Sequence, residues 1–412
     1  MAQARTYLSM GFDVVVVVVP HDSSHLVDKQ DFWSLVSSDF RFDQRQPVYL
    51  NRSTQRARPF ASGSYWTWLA HGRDSVIAIE ARIASGSTFD PEFTALVDRN
   101  GVDVIHVNHC INMGVAHRIA VHSSHRRAAT PTILLDTHDI QAERYQVCEI
   151  ENPFTRRRDS VLGLARDELT LSRGATALLH LTKHELEHFR RTLPTKPHFL
   201  LRPTTRNEPS SINRSRDDAI IDFLYVGNGH RANIRSIEWF FERVAPRLDM
   251  KCIRVCIAGG IADHFRIYNS GLFAAHRDVW LSERDTVEDL YAASRFVIVP
   301  TTGGSGISIK LVEALAMGKF VITSPQAVAA FDGIEGLDQA VTVAESAKDF
   351  ANAMMAMASR ESTVNEDGRT LYLRHLSNAR YVTALSEIVT CVAAGAAGLD
   401  RAGMKLEPRT RL

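Results

Sequence analysis

In the stretch VPTTGGSGISIKLVEALAMGKFVITS, residues 299–324, the order of residue types decides the fold. An apolar run stops at Pro300, and a glycine cluster then lets the backbone turn tightly and approach a ligand. Apolar residues next recur at helical spacing until Gly318, after which a new apolar run begins. This pattern predicts a strand, a loop, a helix and a strand. A glycine loop that leads into a helix N-terminus is typical of an anion-binding site.

Two charged residues of the predicted helix, Lys310 and Glu313, are spaced i, i+3 and therefore share a face. A cation and a carboxylate beside a phosphate cradle are suited to a diphosphate and a ribose diol. The same spacing also describes an ordinary surface pair on a crossover helix. The spacing alone leaves both interpretations open.

The segment Glu313-Ala314-Leu315-Ala316-Met317-Gly318 resembles the donor-binding signature of retaining glycosyltransferases of family 4, which have the GT-B fold. The resemblance implies that Glu313 binds the ribose hydroxyls of a sugar nucleotide. Ser305 stands where the family usually has a first glutamate. A branch of the family with a Gly-Ser-Gly-Ile loop, here Gly304 to Ile307, and a lysine at the position of Lys310 shares that substitution.

Length, charge and cysteine content limit which kinds of protein this chain can be. A chain of 412 residues is too long for one ordinary core, so two domains are expected. The net charge of +1 argues against a dedicated nucleic-acid binder. Five scattered cysteines suit a reducing cytosol, and Cys252 and Cys256 are predicted to be buried on one face of a strand. No apolar run is long enough to predict a membrane-spanning helix.

The predicted fold class is α/β with the GT-B architecture, in which two Rossmann-like domains face each other across a cleft. The expected divisions are an acceptor-side domain (1–203), a linker (204–218), a donor-binding domain with a helix that crosses back from residues 371–392 (219–394) and a loose tail (395–412). Residues 12–19 and 76–79 are predicted strands. Because the chain opens with a helix, a glycine and a strand, the first domain is expected to lack its usual first strand and glycine loop.

The best signal in the first half is a pair of predicted strands, residues 103–109 and 132–137, that both end in polar residues. Ligands of open α/β sheets lie beyond the carboxyl ends of strands, so His109 and His138 are candidate acceptor-side catalytic residues, together with Lys310 from the other domain. The alternative is that both histidines merely cap loops. Aromatics at residues 65–68 either stack on an acceptor or belong to the core, and the core is favoured.

The predicted donor site combines the glycine loops with nearby cations. Gly227 and Gly259 follow predicted strands, and the cations nearest Gly227 are Arg231 and Arg235. The resemblance places recognition of the base at residues 282–284. The candidate donor-binding residues are Gly227, Arg231, Gly259, Gly303, Gly304, Ser305, Gly306, Ile307, Lys310 and Glu313.

One metal motif matches by its letters: His184-Glu185-Leu186-Glu187-His188 has the H-E-x-x-H pattern of zinc proteases. No third ligand follows at a familiar spacing, and the same helix has to bury Leu186 and Phe189. A structural role is therefore favoured. No cofactor or metal is expected, and the nucleotide sugar, linked to UDP or GDP, is a substrate.

The predicted function is a retaining, metal-independent glycosyltransferase that moves a sugar to a glycan, lipid-linked or other hydroxyl acceptor, as in polysaccharide biosynthesis. The alternatives are a non-catalytic or degenerate GT-B nucleotide-sugar-binding protein and, with less support, a sugar-nucleotide 2-epimerase. The predicted location is the cytoplasm, with peripheral contact at the inner face of the membrane as an option. Arg156-Arg157-Arg158 would suit such a contact, although a solvated helix start is favoured.

Overall fold

The computed structural model describes residues 2–19, 48–50, 75–86, 89–124, 130–147, 149, 157–205, 221–281, 287–303, 306–362 and 364–397. Gly304, Ser305 and the predicted segments 65–68 and 282–284 lie outside the described residues. Within these ranges the chain forms two α/β domains, each with a parallel sheet of four or six strands, as expected, and one further parallel pair of strands. No helix among the described residues combines the length and the apolar character that crossing a bilayer requires.

The first domain contains a four-stranded parallel sheet in sequential order and a separate parallel pair. Its strands are β1 (Val16–Val18), β2 (Val48–Leu50), β3 (Val104–Asn108), β4 (Thr132–Asp136), β5 (Ala177–His180) and β6 (His198–Leu200), with β1 paired to β2. Its helices are α1 (Ala2–Ser9), α2 (Val76–Ser85), α3 (Pro91–Asn100), α4 (Met113–Ser124), α5 (Gln141–Val147), α6 (Val161–Ser172) and α7 (Lys183–Thr192). A 3-10 turn, Cys110–Asn112, leads into α4.

The second domain is built on a six-stranded parallel sheet. Its strands are β7 (Ile221–Val226), β8 (Val255–Ala258), β9 (Trp280–Leu281), β10 (Ser294–Val299), β11 (Phe320–Thr323) and β12 (Val341–Val343). The spatial order is β12-β11-β10-β7-β8-β9, so the direction of winding reverses between β7 and β10. In open α/β sheets ligands bind beyond the carboxyl ends of the strands at such a switch point.

The helices of the second domain are α8 (Arg231–Trp239), α9 (Gly260–Tyr268), α10 (Ser270–Ala275), α11 (Val287–Ala293), α12 (Ile309–Ala316), α13 (Pro325–Ala329), α14 (Leu337–Ala340), α15 (Ala347–Ala358), α16 (Glu366–His375) and α17 (Asn378–Ala397). Helix α8 continues through a π-helical turn, Phe240–Val244. The last helix returns to the first domain, where Leu385 and Ile388 pack with Tyr7 and Leu134 in one buried cluster.

Three elements differ from the sequence-based prediction. Residues 371–392, predicted as one helix, belong to α16 and α17, which are separated at residues 376–377. Residues 76–79 are the first turn of α2 and not a strand: Val76, Ile77 and Ile79 are buried, and the apolar pattern continues at helical spacing through Ala84. Cys252 is exposed in the turn before β8, while Cys256 is buried on that strand as expected. A four-residue apolar run does not distinguish a strand from a buried helical turn.

Candidate functional site

The glycine loops of the second domain pack so closely that side chains would not fit. A Cβ atom on Gly259, whose φ is +90°, would lie 2.7 Å from the carbonyl oxygen of Gly227, and one on Gly227 would lie 2.8 Å from the ring of Tyr225. The backbone amide of Gly227 donates to the carbonyl oxygen of Ala258 at 2.9 Å. Both glycines therefore hold backbone, and not side chains, at the carboxyl ends of β7 and β8.

Lys310 lies over the switch point between β7 and β10. Its Nζ donates to Oδ1 of Asn233 in α8 at 2.8 Å and lies 5.4 Å from the ring centroid of Tyr225, which ends β7. Part of the side chain stays accessible, but protein surrounds most of it. Burial lowers the pKa of Lys310 to about 8, and the charge of Glu313 opposes that shift. A buried cation at this point is suited to a diphosphate.

Glu313 lies one turn further along α12, on the same face as Lys310. The hydroxyl of Tyr291 in α11 donates to Oε2 of Glu313 at 3.1 Å. Burial, with the nearby Glu313 carboxylate, raises the pKa of Tyr291 well above its usual value, so this hydroxyl keeps its proton. The pair shares a face as the spacing predicts, although Lys310 reaches α8 and Glu313 reaches α11.

The arginines near the Gly227 loop face the first domain. Arg235 forms an ion pair with the carboxylate of Glu149, and Arg231 lies 4.0 Å from the same carboxylate. The hydrogen bond and charge of Arg235 lower the pKa of Glu149. Arg231 is exposed and also donates to the backbone oxygen of Glu149 at 3.4 Å. These cations therefore lie between the two domains, beside the predicted donor site.

The predicted acceptor-side histidines lie together. The rings of His109 and His138 stack with their centroids 4.3 Å apart, and both residues have left-handed backbone, with φ of 65° and 61°. Nε2 of His138 lies 2.9 Å from Oδ1 of Asn108. Left-handed backbone is uncommon for residues other than glycine and is retained where the surrounding structure enforces it.

Asp136, at the end of β4, lies beneath the two histidines and was not singled out from the sequence. Its Oδ2 accepts from the side-chain amide of Gln3 at 3.0 Å, and its Oδ1 lies 3.8 Å from Nε2 of His138. Burial alone would raise the pKa of Asp136, but the hydrogen bond from His106 and the charges of three histidines outweigh it and lower that pKa. Its burial places a carboxylate under the acceptor-side surface.

The two halves of the predicted site meet across the cleft. A Cβ atom on Gly306 would lie 2.5 Å from Oδ1 of Asp139, the residue after His138, and one on Gly303 would lie 3.2 Å from Val147 in α5. The donor-side glycine loop therefore touches the turn that follows β4. The side chain of Ile307 is buried in the core of the second domain. This residue can therefore contribute only its backbone to the predicted donor site.

The side chains of the H-E-x-x-H motif on α7 point to different surroundings. His184 is exposed and engages the carboxylate of Glu143 at 2.9 Å, whereas Glu185 points inward and is fully buried. Phe189 is buried and Leu186 is half-buried. No group of three metal-ligating side chains occurs anywhere in the ranges that the structure covers.

Comparison with known proteins agrees with this architecture. Residues 221–360 match the family model described as Glycosyl transferases group 1. The whole chain resembles sucrose-phosphate synthase from Thermosynechococcus elongatus, with a TM-score of 0.65 at 14% identity over 95% of this chain and 92% of that one. It also resembles Anabaena HepE in complex with UDP and glucose, with a TM-score of 0.58 at 12% identity over 94% and 95% of the two chains.

A glycosyltransferase from Rickettsia africae is a third similar structure, with a TM-score of 0.54 at 13% identity over 95% of this chain and 93% of that one. No curated protein sequence matches the chain significantly. The GT-B fold predicted from the sequence is thus confirmed, and the second domain has the sequence pattern of glycosyl transferases group 1. Assignment to family 4 and to the Gly-Ser-Gly-Ile branch stays a prediction.

Proposed function

We propose that this chain is a glycosyltransferase that moves a sugar from a nucleotide-sugar donor to a hydroxyl acceptor. The observation that carries the proposal is the placement of Lys310 and Glu313 on one face of α12, over the switch point between β7 and β10. The domain that holds them matches a glycosyltransferase family, and a protein of the same fold was solved with UDP and glucose.

On the donor side, the chain supplies the three contacts that a sugar nucleotide needs. Lys310 would neutralise the diphosphate, and the absence of side chains at Gly227 and Gly259 would let backbone at the ends of β7 and β8 approach it. Glu313, held by Tyr291, would accept hydrogen bonds from the ribose hydroxyls. The base is expected to be uracil or guanine. No protein ligand for a metal is needed in this arrangement.

On the acceptor side, His138 would orient the acceptor hydroxyl beside the donor sugar. We propose that this hydroxyl attacks the anomeric carbon on the face from which the diphosphate leaves, so that the configuration is retained. A new carbon–oxygen bond forms as the bond to the diphosphate oxygen breaks. The bonding electrons pass to the diphosphate, and the hydroxyl proton moves to its oxygen. Lys310 would stabilise the charge that grows there, which is usually the dominant catalytic contribution.

The sequence resemblance extends the proposal to the acceptor class. A glycan or a lipid-linked sugar, reached from the cytoplasm, is the acceptor that such transferases in polysaccharide biosynthesis use. Peripheral contact with the membrane surface would accompany a lipid-linked acceptor. Half-buried and exposed polar groups around His138 and Asn108 suit a hydroxylated acceptor of either kind.

The first experiment is binding of UDP, GDP and their common sugar conjugates to the full chain, in the presence of a chelator. A ligand at about 100 times its Kd raises stability by about 2.7 kcal/mol, which shifts the Tm by roughly 3 °C for a chain of 412 residues. We expect one nucleotide to produce that shift in wild type and in Lys348→Met, an exposed lysine variant, but not in Lys310→Met.

The second experiment measures nucleotide release with a panel of hydroxyl acceptors and the anomeric configuration of the product by NMR. Transfer with retained configuration supports the proposal. Tight nucleotide binding without transfer to any acceptor would instead favour the alternative of a non-catalytic nucleotide-sugar-binding protein. Binding that survives Lys310→Met unchanged would contradict the donor site itself.

A further inference from the structure

Glu185 is a buried carboxyl group for which the proposed reaction has no use. It is the third residue of α7, and its backbone amide donates to Oγ1 of the N-cap residue Thr182 at 3.1 Å. A glutamate at this position usually returns to the backbone amide of the N-cap residue. Here Oε2 of Glu185 instead lies 3.2 Å from the amide of Leu181 and 3.1 Å from Oγ1 of Thr137, beyond the end of β4.

Thr137 has one hydroxyl proton, and its neighbours compete to accept it. Nε2 of His198 lies 2.9 Å from the carbonyl oxygen of Leu193, which can only accept, so His198 carries its proton on Nε2. Its Nδ1 then accepts from Nε2 of His180, 3.0 Å away. Burial and the neighbouring His198 lower the pKa of His180 to about 3, so this ring is neutral.

A neutral His180 with its proton on Nε2 has a bare Nδ1, and this atom lies 3.1 Å from Oγ1 of Thr137. The single hydroxyl proton of Thr137 therefore has two acceptors besides Glu185: Nδ1 of His180 and the carbonyl oxygen of Leu179, which lies 3.0 Å from Oγ1 and can only accept. Oε2 of Glu185 nevertheless lies within hydrogen-bond distance of the same hydroxyl oxygen. Two buried oxygens at that distance need a proton between them, and only Glu185 can supply it.

The electrostatic surroundings agree with this proton count. Burial, together with the carboxylates of Asp139 and Asp136, which lie at and just after the end of β4, raises the pKa of Glu185 to about 8. The hydrogen bond from the amide of Leu181 and the contact with the hydroxyl of Thr137 lower the pKa of Glu185 but are outweighed. The groups that face it from β5 and β6 are the histidines of the chain just described, and they add no positive charge.

Glu185 holds one end of the turn that carries His138. The other end is held by Glu168 in α6, whose carboxylate accepts from the amides of Gln141 and Ala142 at 2.8 and 3.3 Å. Between the two carboxyl groups lies His138 with its left-handed backbone, followed by Asp139, which touches Gly306 across the cleft. Backbone of this kind persists only when its surroundings hold it.

We propose that Glu185 is a neutral carboxylic acid that acts as a positioning residue, holding the turn at His138 and Asp139 against the donor-side glycine loop. The positioning role of Glu185 rests on the proposed function, because it is tested by measuring turnover. The protonation of Glu185 and its contact with Thr137 do not depend on that function, so they are tested separately.

The first test compares the thermal stability of the full chain in wild type, Glu185→Gln and Glu187→Gln, the last an exposed glutamate on the same helix. The folded pKa of Glu185 lies above its unfolded value of 4.5, so folding binds a proton between these values. We expect wild type to lose stability relative to Glu185→Gln as the pH rises from 5 to 8, by a Tm difference of roughly 4 °C, and to lose little more above pH 8. Glu187→Gln should show no such trend.

At low pH the same comparison has a second expected result. Glutamine can donate to Thr137 but cannot also accept from the amide of Leu181 with the same atom, so Glu185→Gln should melt roughly 2–4 °C below wild type at pH 5. A Tm difference between the two chains that does not change with pH would show that Glu185 is ionised in the folded protein, and would overturn the proposal.

The second test separates positioning from general support of the fold. At pH 7 and saturating donor, Glu185→Ala should lower turnover by ~10-fold or more because the turn loses its support, while Glu185→Gln stays within about 3-fold of wild type. Nucleotide affinity should stay within about 2-fold in both variants, because the donor domain is untouched. Equal losses of turnover in both, or a loss of nucleotide affinity, would overturn the positioning role. If wild type itself transfers no sugar, the proposed function fails, and the thermal comparison still decides the state of Glu185.

Discussion

The two sides of the cleft reach their functional geometry in different ways. On the donor side, Gly303, Gly306, Lys310 and Glu313 come from one contiguous stretch, so a single loop and a single helix place all of them. On the acceptor side, the side chains come from separate elements, and Gln3 bonds Asp136 across 133 residues of sequence. The donor side is thus specified locally, whereas the acceptor side is specified by the tertiary fold.

The two sides also differ in how they use the backbone. Donor-side positions rely on glycine, which lets bare backbone approach a ligand or a neighbouring loop. The acceptor side instead holds two histidines in left-handed backbone above a buried carboxylate. The first arrangement is suited to binding a common group such as diphosphate. The second fixes particular side chains, as positioning of one acceptor hydroxyl requires.

The largest effect is expected from removing the donor-side cation. Lys310→Met should lower turnover by ~10²–10³-fold, since a buried charge at the leaving diphosphate stabilises the transition state. The Tm should not fall, because methionine fills similar space and the ammonium is partly desolvated in the free protein. Steady-state kinetics and a thermal melt measure both quantities. Lys348→Met is the matched control, and a collapse of the Tm in Lys310→Met would make Lys310 a structural residue.

Replacing the acceptor-side histidine should lower turnover without changing nucleotide affinity. His138→Asn replaces the ring with a residue that tolerates left-handed backbone, so the turn is expected to survive. Turnover should fall by ~10²-fold, while nucleotide affinity measured by calorimetry stays unchanged, because the loss is confined to acceptor positioning. His184→Ala, on the exposed face of α7, is the control and should alter neither. Weaker nucleotide binding in His138→Asn would mean that the two sides do not act separately.

A smaller effect is expected at the ribose contact. Glu313→Gln keeps the shape of the side chain but loses its charge, so nucleotide affinity should fall by ~10–100-fold, as for hydrogen bonds to a charged group. Free ribose-containing nucleotides should lose more affinity than inorganic pyrophosphate, which has no diol. Glu345→Gln, an exposed change in the same domain, is the control. Equal losses for nucleotide and pyrophosphate would argue against the ribose role of Glu313.

Features that are encoded by one contiguous stretch of residues are the ones that the sequence predicts correctly. The order β10, loop, α12 and β11 follows from apolar runs, glycines and helical spacing within 30 residues, and the spacing of Lys310 and Glu313 correctly gives a shared face. The short run at residues 76–79 has no such context. It was predicted as a strand, although it begins a buried helix, because periodicity over four residues cannot separate the two.

The acceptor-side network was not predictable for a different reason. Asp136, Asn108 and Gln3 carry no motif, and their importance arises only when β3, β4 and α1 bring them within hydrogen-bond distance. Glu185 is the opposite case: it belongs to a recognisable motif, but that motif points to zinc, while the fold turns the carboxyl group inward. Burial and partner identity are tertiary properties, so spacing along the chain does not report them.

The pH dependence of donor binding offers the finest comparison between the two sides. The pKa of Lys310 is lowered to about 8, so the free protein loses this charge as the pH rises through 8. The terminal phosphate of a nucleoside diphosphate is already ionised above pH 7. Only the protonated lysine attracts it, and the protonated fraction falls by about 10-fold between pH 7 and 9. Nucleotide affinity should fall by the same factor, measured by calorimetry at several pH values.

Arginine keeps its charge throughout this range, so Lys310→Arg should remove the pH dependence even if its absolute affinity is lower. His138→Asn should leave the dependence as in wild type, because the acceptor-side histidine does not contact the nucleotide in the proposed arrangement. If the fall in affinity above pH 8 persists in Lys310→Arg, another group controls it, and the buried cation would not be the origin of donor binding.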